Sequence, residues 1–293
     1  MQNTMHTIVD APVAIHPARE SSIGRLLLQL GKITPADAEN ILFAQQKQGL
    51  RFGDAALKLG LITEADIRHV LALQFDYPYL QAGQGNFSAK LVAAYQPFTQ
   101  QVEALRALRS KLMMRWFSEG YKSLAIVSAN GDEGSSYLAA NLAIVFSQLG
   151  QKTLLVDANL RNPAQHSIFN IKENRGLSDV LAGRAGLDIA TRVESFVDLS
   201  VLGAGTLPPN PQELLSRATF TDFMNQAIGQ YDVVLVDATP AADTADAQAT
   251  VARCGGALLV SRLNHTRVSD LTAVRDQMSL TGAQIVGAVI NDF

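Results

Sequence analysis

The sequence predicts an α/β protein, in which a doubly wound, mostly parallel sheet follows a small all-α domain. Two observations predict this fold. After residue 97, apolar runs alternate with helical stretches, and most of these runs are continuous, which is typical of strands covered on both faces. Before that point, residues 22–80 form an internal repeat. The apolar runs are 123–129, 153–158, 199–204, 232–238, 256–262 and 284–291.

The composition fits a globular protein with a sizeable core. The chain has 293 residues, of which 47% are hydrophobic and 17% charged. A formal net charge of −3 gives no support for nucleic-acid binding, which usually needs a basic surface. The one cysteine, Cys254, is interpreted as a small buried residue in a reducing compartment. No apolar run reaches the roughly 18 residues that cross a bilayer, so we expect membrane association only through a partner.

The chain divides into four predicted segments. Residues 1–21 are polar and irregular and are predicted to be a flexible arm. The repeat domain occupies 22–80, a Gly/polar linker 81–96, and the α/β domain 97–293. The boundaries follow the changes in hydrophobic periodicity along the chain.

Each copy of the repeat predicts two short helices. Gly31 and Gly60 are suited to the left-handed conformation that ends a helix. Thr34 and Thr63 then follow as good N-caps for the next helix. The repeat therefore predicts a four-helix unit.

A loop of small residues follows the first strand and precedes a helix. This arrangement points free main-chain N–H groups at an anion, and it predicts a phosphate-binding loop. Ser135 stands where the pattern G-x-x-x-x-G-K-[ST] requires lysine, so an ordinary turn between a strand and a helix is the alternative interpretation. The candidate nucleotide-binding residues are Gly131, Asp132, Glu133, Gly134, Ser135, Ser136 and Tyr137.

Two aspartates end predicted strands. Asp157 and Asp237 each follow a buried apolar run, and ligands of open parallel sheets bind beyond the carboxyl ends of the strands. With Ser136 they could hold Mg²⁺, and we interpret them as the candidate catalytic pair. The alternative for each aspartate alone is a structural capping role.

From residue 95 to 293 the sequence resembles the bacterial tyrosine kinases (BY-kinases) of polysaccharide chain-length control, most of all their EpsG-type members. The resemblance implies a P-loop NTPase fold that uses ATP or ADP with Mg²⁺. By position, Ser136 and Asp237 match the family's magnesium and Walker B residues, and Asp157 matches the first Walker A′ aspartate. The stretches that carry it include 128–136, DANLRNPAQHSIF (157–169), GAGTLPPNPQELLSR (203–217) and DATPAADTADAQ (237–248).

The same resemblance implies partners. Glu103, Arg106 and Arg109 match the family's E-x-x-R-x-x-R helix, which is associated with ring-like self-assembly, so a homo-oligomer is expected. The alternative is a solvated cluster of charges. The family works in the cytoplasm, beside a membrane chain-length-determinant (Wzc/Wzz-like) protein, so a peripheral position at the inner membrane is also expected.

Three departures from the family pattern predict a weak or absent kinase activity. Ser135 replaces the lysine, Asn159 replaces the second Walker A′ aspartate, and the chain shows no terminal tyrosine cluster. We therefore predict a nucleotide-binding regulator of exopolysaccharide biosynthesis, export and chain length. The alternatives are an active ATP-dependent tyrosine autokinase, with Arg161 or Arg262 as the substitute cation, and a MinD/ParA-like positioning ATPase. The tyrosines are Tyr77, Tyr79, Tyr95, Tyr121, Tyr137 and Tyr231.

The repeat at 22–80 resembles the MshEN-type domain of type II secretion and pilus ATPases, some members of which bind cyclic di-GMP. The second copy fits the family pattern well, whereas the first has Ser22, Lys32 and Ala38 at positions where the family has other residue types. A docking module without a ligand is the alternative. The candidate cyclic di-GMP residues are Gly24, Gln45, Arg51, Gly53 and Gln74.

Overall fold

The computed structural model describes residues 22–74, 80, 84–242 and 244–292. The predicted arm at 1–21 lies outside the described residues. The chain divides into two compact units, the first ending at Tyr77 and the second beginning at Pro78. In the described ranges, none of the helices combines the length and apolar character that a membrane span requires.

The first unit contains the four helices that the repeat predicts. Thr34 accepts a hydrogen bond from the Asp37 main-chain N–H (3.2 Å) and donates its own N–H to the Asp37 carboxylate (2.9 Å). Thr63 and Asp66 repeat these bonds at the same distances, so both caps are reciprocal. The helices are α1 (Ile23–Gln29), α2 (Pro35–Gln48), α3 (Phe52–Lys58) and α4 (Glu64–Gln74).

Two glycines of the first unit are needed for close packing. A Cβ atom on Gly24 would lie 3.0 Å from the Phe52 ring, and one on Gly53 would lie 3.1 Å from Ile67 Cδ1. Gly53 is buried, whereas Arg51 is exposed. Packing therefore accounts for both glycines without a ligand.

The second unit contains nine helices and seven strands in the described residues. The helices are α5 (Val92–Tyr95), α6 (Gln100–Arg115), α7 (Ser135–Ser147), α8 (Gln165–Ile168), α9 (Leu177–Leu181), α10 (Pro211–Ser216), α11 (Ala218–Gln230), α12 (Asp246–Cys254) and α13 (Val268–Ser279). The strands are β1 (Ser123–Ser128), β2 (Thr153–Asp157), β3 (Thr191–Arg192), β4 (Leu199–Leu202), β5 (Val233–Asp237), β6 (Gly256–Arg262) and β7 (Gln284–Asn291).

The strands form one sheet in the order β3-β4-β2-β5-β1-β6-β7. Every pair is parallel except β3 with β4, which confirms the predicted fold class. Leu124 and Ile126 of β1 point into one apolar cluster, and Ala125 and Val127 point into the other, so the sheet is covered on both faces. The sequence did not predict β3, because two residues are too few to show a pattern.

The predicted linker at 81–96 is only partly a linker. Residues 91–94 are buried in the second unit, and the Ala93 N–H donates to Asn141 Oδ1 of α7 (2.9 Å). The Gly/polar residues at 81–88 suggested a linker, but the apolar run that follows them packs as α5. The second unit, which begins at Pro78, therefore includes this segment.

The sequence block GAGTLPPNPQELLSR (203–217) is anchored by a close approach of main chain. Gly205 has a φ of +80°, and a Cβ there would lie 2.5 Å from Asp179 Oδ2. The Asp179 carboxylate accepts N–H groups of Gly176 (3.1 Å) and Thr206 (3.3 Å). These contacts explain Gly205 by packing.

Candidate nucleotide and metal site

The loop between β1 and α7 presents an array of free main-chain donors. Asp132 (φ +59°) and Gly134 (φ +85°) are left-handed, which turns successive N–H groups toward one side. In the described chain, the seven N–H groups of residues 131–137 donate no hydrogen bond to protein. A concave run of free donors at a helix N-terminus binds anions. The geometry agrees with the predicted phosphate loop.

Glu133 shapes this loop from inside. Its side chain is 1% exposed. Its carboxylate accepts the N–H groups of Ala129 (2.9 Å) and Asn130 (3.1 Å) and the hydroxyl of Thr266 (2.6 Å). The negative charge of Glu133 is therefore used to hold the loop, and only its main-chain N–H belongs to the donor array. No motif or spacing in the sequence connects Glu133 with its partner Thr266.

A hydroxyl occupies the position of the P-loop lysine. Ser135 is buried, and its Oγ lies 3.3 Å from Ser128 Oγ. Arg161, considered above as a substitute cation, forms a two-pronged ion pair with the buried Asp246 (2.6 and 3.3 Å). The Arg161 guanidinium is therefore already engaged by a carboxylate of the protein.

The two predicted aspartates do meet. Asp157 and Asp237 are register partners on the neighbouring strands β2 and β5, and neither has any exposed surface. Burial raises the pKa of both carboxyl groups, and the negative charge of Asp237 raises that of Asp157 further. Two neighbouring buried carboxylates favour the binding of a cation or a proton at the ends of β2 and β5.

The hydrogen bonds of Asp157 differ from those of Asp237. Asp157 accepts three main-chain N–H groups, from Asn159 (3.2 Å), Ala164 (2.9 Å) and Gln165 (2.9 Å). Asp237 accepts the Gln165 side-chain amide through Oδ2 (2.8 Å), while its Oδ1 is buried without a partner. Asp157 therefore organises the loop after β2, and Asp237 keeps one oxygen available.

The unpaired atoms of the site fit a hard cation. Gln165 Oε1, Asp237 Oδ1 and Thr239 Oγ1 are all buried and lack a hydrogen-bond partner. Within the described ranges, no cluster of three or more His, Cys, Asp or Glu side chains could hold a metal by itself. Mg²⁺ typically takes one or two carboxylates and completes its shell with water and phosphate oxygens. The residues present therefore suit Mg²⁺ bound together with a nucleotide.

The remaining predicted residues have local roles. Asn159 Oδ1 accepts the Asn162 N–H (3.0 Å), a turn that asparagine and aspartate make equally well. Tyr137 is half-buried, and burial raises the pKa of its hydroxyl. On α6, Arg106 pairs with Glu103, and Arg109 donates to the Val145 carbonyl of α7 (2.8 Å). These α6 contacts belong to the helix packing.

The parallel sheet, the donor loop and the paired aspartates are the features of a P-loop NTPase-type fold. The family model described as "Cellulose biosynthesis protein BcsQ" matches residues 121–279. The chain is 32% identical over 189 residues to the "Putative tyrosine-protein kinase CapB" of Staphylococcus aureus, covering 64% of this chain and 83% of CapB. It is 33% identical over 201 residues to the "Tyrosine-protein kinase YwqD" of Bacillus subtilis (strain 168), covering 69% and 85%.

A solved structure agrees with these relatives. The kinase domain of the Escherichia coli tyrosine kinase ETK matches with a TM-score of 0.66 and 32% identity, covering 69% of this chain and 79% of that one. The chain therefore belongs to the bacterial tyrosine kinase (BY-kinase) family, which confirms the resemblance inferred from the sequence.

Proposed function

We propose that this chain is a nucleotide-binding regulator of exopolysaccharide biosynthesis, export and chain length, with weak or absent kinase activity. One observation carries the proposal. The donor array at 131–137 is intact, but the place of the lysine ammonium is taken by the Ser135 hydroxyl, which lies 3.3 Å from Ser128 Oγ. The loop therefore keeps the groups that bind a phosphate and lacks the charge that assists its transfer.

The loss of the ammonium affects transfer more than binding. A charge-assisted hydrogen bond contributes about 1.5–3 kcal/mol, so nucleotide binding should be weakened roughly tenfold to a hundredfold. Negative charge moves toward the leaving oxygen in the transition state, and donors aimed at that charge usually contribute more than they do to ground-state binding. Binding should therefore survive where transfer does not.

Each part of the site has a role in this scheme. Mg²⁺, when bound, neutralises the phosphate oxygens. Asp237 and Ser136 would hold it. Asp237 has a free oxygen. The Ser136 hydroxyl lies near the Asp237 carboxyl and lowers the Asp237 pKa, which opposes part of the rise that burial causes. Asp157 fixes the segment at 159–165 through its three main-chain bonds.

A phosphotyrosine assay tests the proposal against an active autokinase. The purified full chain is incubated with ATP and Mg²⁺ and probed with an anti-phosphotyrosine antibody, with Asp237→Ala as the matched control. We expect no signal above that of the control. A clear signal that Asp237→Ala abolishes would establish the active kinase instead. The free Asp237 oxygen and the intact donor array are the observations that favour that second candidate.

We also propose a homo-oligomer and a membrane chain-length-determinant (Wzc/Wzz-like) partner at the inner membrane. The Glu103–Arg106 pair lies on α6 with Glu103 exposed, and Arg109 fixes α6 to α7 beneath it. Glu103→Arg should therefore shift the sedimentation of the full chain toward the monomer. Glu119→Arg, also exposed and just beyond α6, is the control. Unchanged assembly in Glu103→Arg would contradict this role.

For the first unit we propose docking to a partner, with cyclic di-GMP binding as the alternative. Packing against Phe52 and Ile67 accounts for Gly24 and Gly53. Lys32 pairs with Asp66 (2.8 Å), and this contact lowers the pKa of Asp66 to about 2. Calorimetry of the full chain with cyclic di-GMP decides. Binding that Arg51→Ala abolishes and Arg25→Ala preserves would support the ligand.

A further inference from the structure

Gln165 contacts each of the three residues that the sequence assigns to the metal. Its side-chain amide nitrogen lies 3.0 Å from the Ser136 carbonyl and 2.8 Å from Asp237 Oδ2. Its main-chain N–H donates to Asp157 Oδ2 (2.9 Å). Gln165 has no exposed surface, so these contacts are shielded from water.

The oxygen of the same carboxamide is left without a partner. Gln165 Oε1 is buried and unpaired, as are Asp237 Oδ1 and Thr239 Oγ1 at the end of β5. Leaving a buried polar atom unsatisfied costs about 1–3 kcal/mol, so three such atoms near one strand end indicate a missing ligand. Since all three are oxygens, and Asp237 Oδ1 can only accept when ionised, the ligand is a cation or a group that donates.

Asp157 is a poor second ligand in comparison. Its carboxylate already accepts three main-chain N–H groups, and turning it toward a cation would leave those groups buried and unpaired. Gln165 has no such restriction on its oxygen. A carboxamide is nearly symmetric in shape, so a half-turn that exchanges its nitrogen and oxygen changes no packing volume. The turn breaks the amide bonds to the Ser136 carbonyl and Asp237, and the contact between the cation and the carboxamide oxygen has to offset that loss.

We propose that Gln165 is a cation-responsive residue of the nucleotide site. Without a cation, its amide nitrogen donates to Asp237. When Mg²⁺ binds beside Asp237 and Ser136, the carboxamide turns and its oxygen faces the cation. The inference rests on the proposed nucleotide site and names the residue that makes nucleotide binding depend on the metal. A neutral amide supplies an oxygen without placing a third buried carboxylate beside Asp157 and Asp237.

Binding of Mn²⁺, a spectroscopic substitute for Mg²⁺, tests the inference. The full chain is titrated with Mn²⁺ by electron paramagnetic resonance, and with ADP by calorimetry in the presence of Mg²⁺ and of EDTA. Changes in groups that orient a metal site typically cost 10–100-fold in metal affinity. We therefore expect Gln165→Met to weaken Mn²⁺ binding at least about tenfold and to remove the gain in ADP affinity that Mg²⁺ gives over EDTA.

A second variant of Gln165 and a control variant are also measured. Gln165→Glu keeps the shape and adds a charge, and it should tighten Mn²⁺ while lowering the melting temperature of the cation-free protein. Asn141→Leu is the control, because Asn141 is a buried amide of α7 that bonds Ala93 and Tyr137 rather than the aspartates. It should lower the melting temperature and leave the ratio of ADP affinities with and without Mg²⁺ unchanged.

The outcomes separate the two proposals. Wild-type Mn²⁺ affinity in Gln165→Met overturns the role of Gln165, and so does weaker Mn²⁺ binding by Gln165→Glu, which decides the matter if Gln165→Met fails to fold. If either result is obtained and the wild type still binds ADP, only the role of Gln165 is refuted, and the proposed function is not. Absence of ADP binding by the wild type, with and without Mg²⁺, would instead refute the proposed function.

Discussion

The ends of β2 and β5 carry the same side chain at the same burial and are used differently. Asp157 and Asp237 are register partners with no exposed surface. The chain after β2 turns back and gives Asp157 three main-chain donors, whereas Asp237 receives one side-chain amide and keeps an unpaired oxygen. The loop that follows each strand, and not the aspartate itself, therefore decides whether the carboxylate is structural or available to a ligand.

The largest expected effect separates the two aspartates by stability. Asp157→Asn replaces one acceptor oxygen with an NH2 group, so at least one buried main-chain N–H loses its acceptor, and the free energy of unfolding should fall by up to about 3 kcal/mol. Asp237→Asn keeps an acceptor for the Gln165 amide and removes an unpaired buried charge, so stability should hold or increase. Urea denaturation in EDTA measures both. Equal losses of unfolding free energy in the two variants would contradict the different roles of Asp157 and Asp237.

A third buried carboxylate at this edge gives a smaller effect. Asp246 is neutralised by the Arg161 guanidinium, whose side chain is 42% exposed. Arg161→Met should lower the free energy of unfolding by about 2 kcal/mol, less than for a fully buried pair because solvent screens the exposed partner. Mn²⁺ affinity should stay at the wild-type value. A large loss of Mn²⁺ binding would place Arg161 in the metal site.

The stability of the cation-free protein should also depend on pH through the two aspartates. Burial raises the folded-state pKa of both aspartates above the ordinary value of 3.8, so the folded state binds protons more tightly than the unfolded state. The stability of the cation-free protein should therefore fall as the pH rises above 3.8 through the raised values. Thermal melting across pH measures this fall. Asp237→Asn should flatten it, and an unchanged slope would show that another group causes it.

Restoring the family's second Walker A′ aspartate should have the smallest effect. Asn159→Asp keeps the acceptor for the Asn162 N–H, so the free energy of unfolding should change by less than about 0.5 kcal/mol. The added charge should tighten Mn²⁺ slightly. A destabilisation as large as that of Asp157→Asn would mean that position 159 shares the role of Asp157.

Much of the fold could be predicted from the sequence because its signals are local. Buried apolar runs gave the six longer strands, and Gly31 and Thr34 gave the helix ends of the first unit. β3 has only two residues, and α5 follows a Gly/polar stretch, so neither produced a usable pattern. Tertiary packing, which a single sequence does not display, decided both.

The sequence also predicted the local features of the site, but not the contacts between its distant residues. Asp157 and Asp237 could be brought together because the carboxyl ends of parallel strands meet at one edge. The different roles of the two aspartates could not be predicted, because they depend on where the main chain at 159–165 turns. Gln165 and Thr266 were missed for the same reason, since their partners are distant in sequence and no spacing connects them.

Whether the loop binds phosphate without a cation is measured by calorimetric titration with ATP and Mg²⁺, which compares the wild type with Ser135→Lys and uses Ser135→Ala as the control. We expect measurable wild-type binding that Ser135→Lys tightens at least about tenfold, and little change in Ser135→Ala. No binding by the wild type, or equal affinity in the lysine variant, would contradict a phosphate-binding loop that has lost its cation.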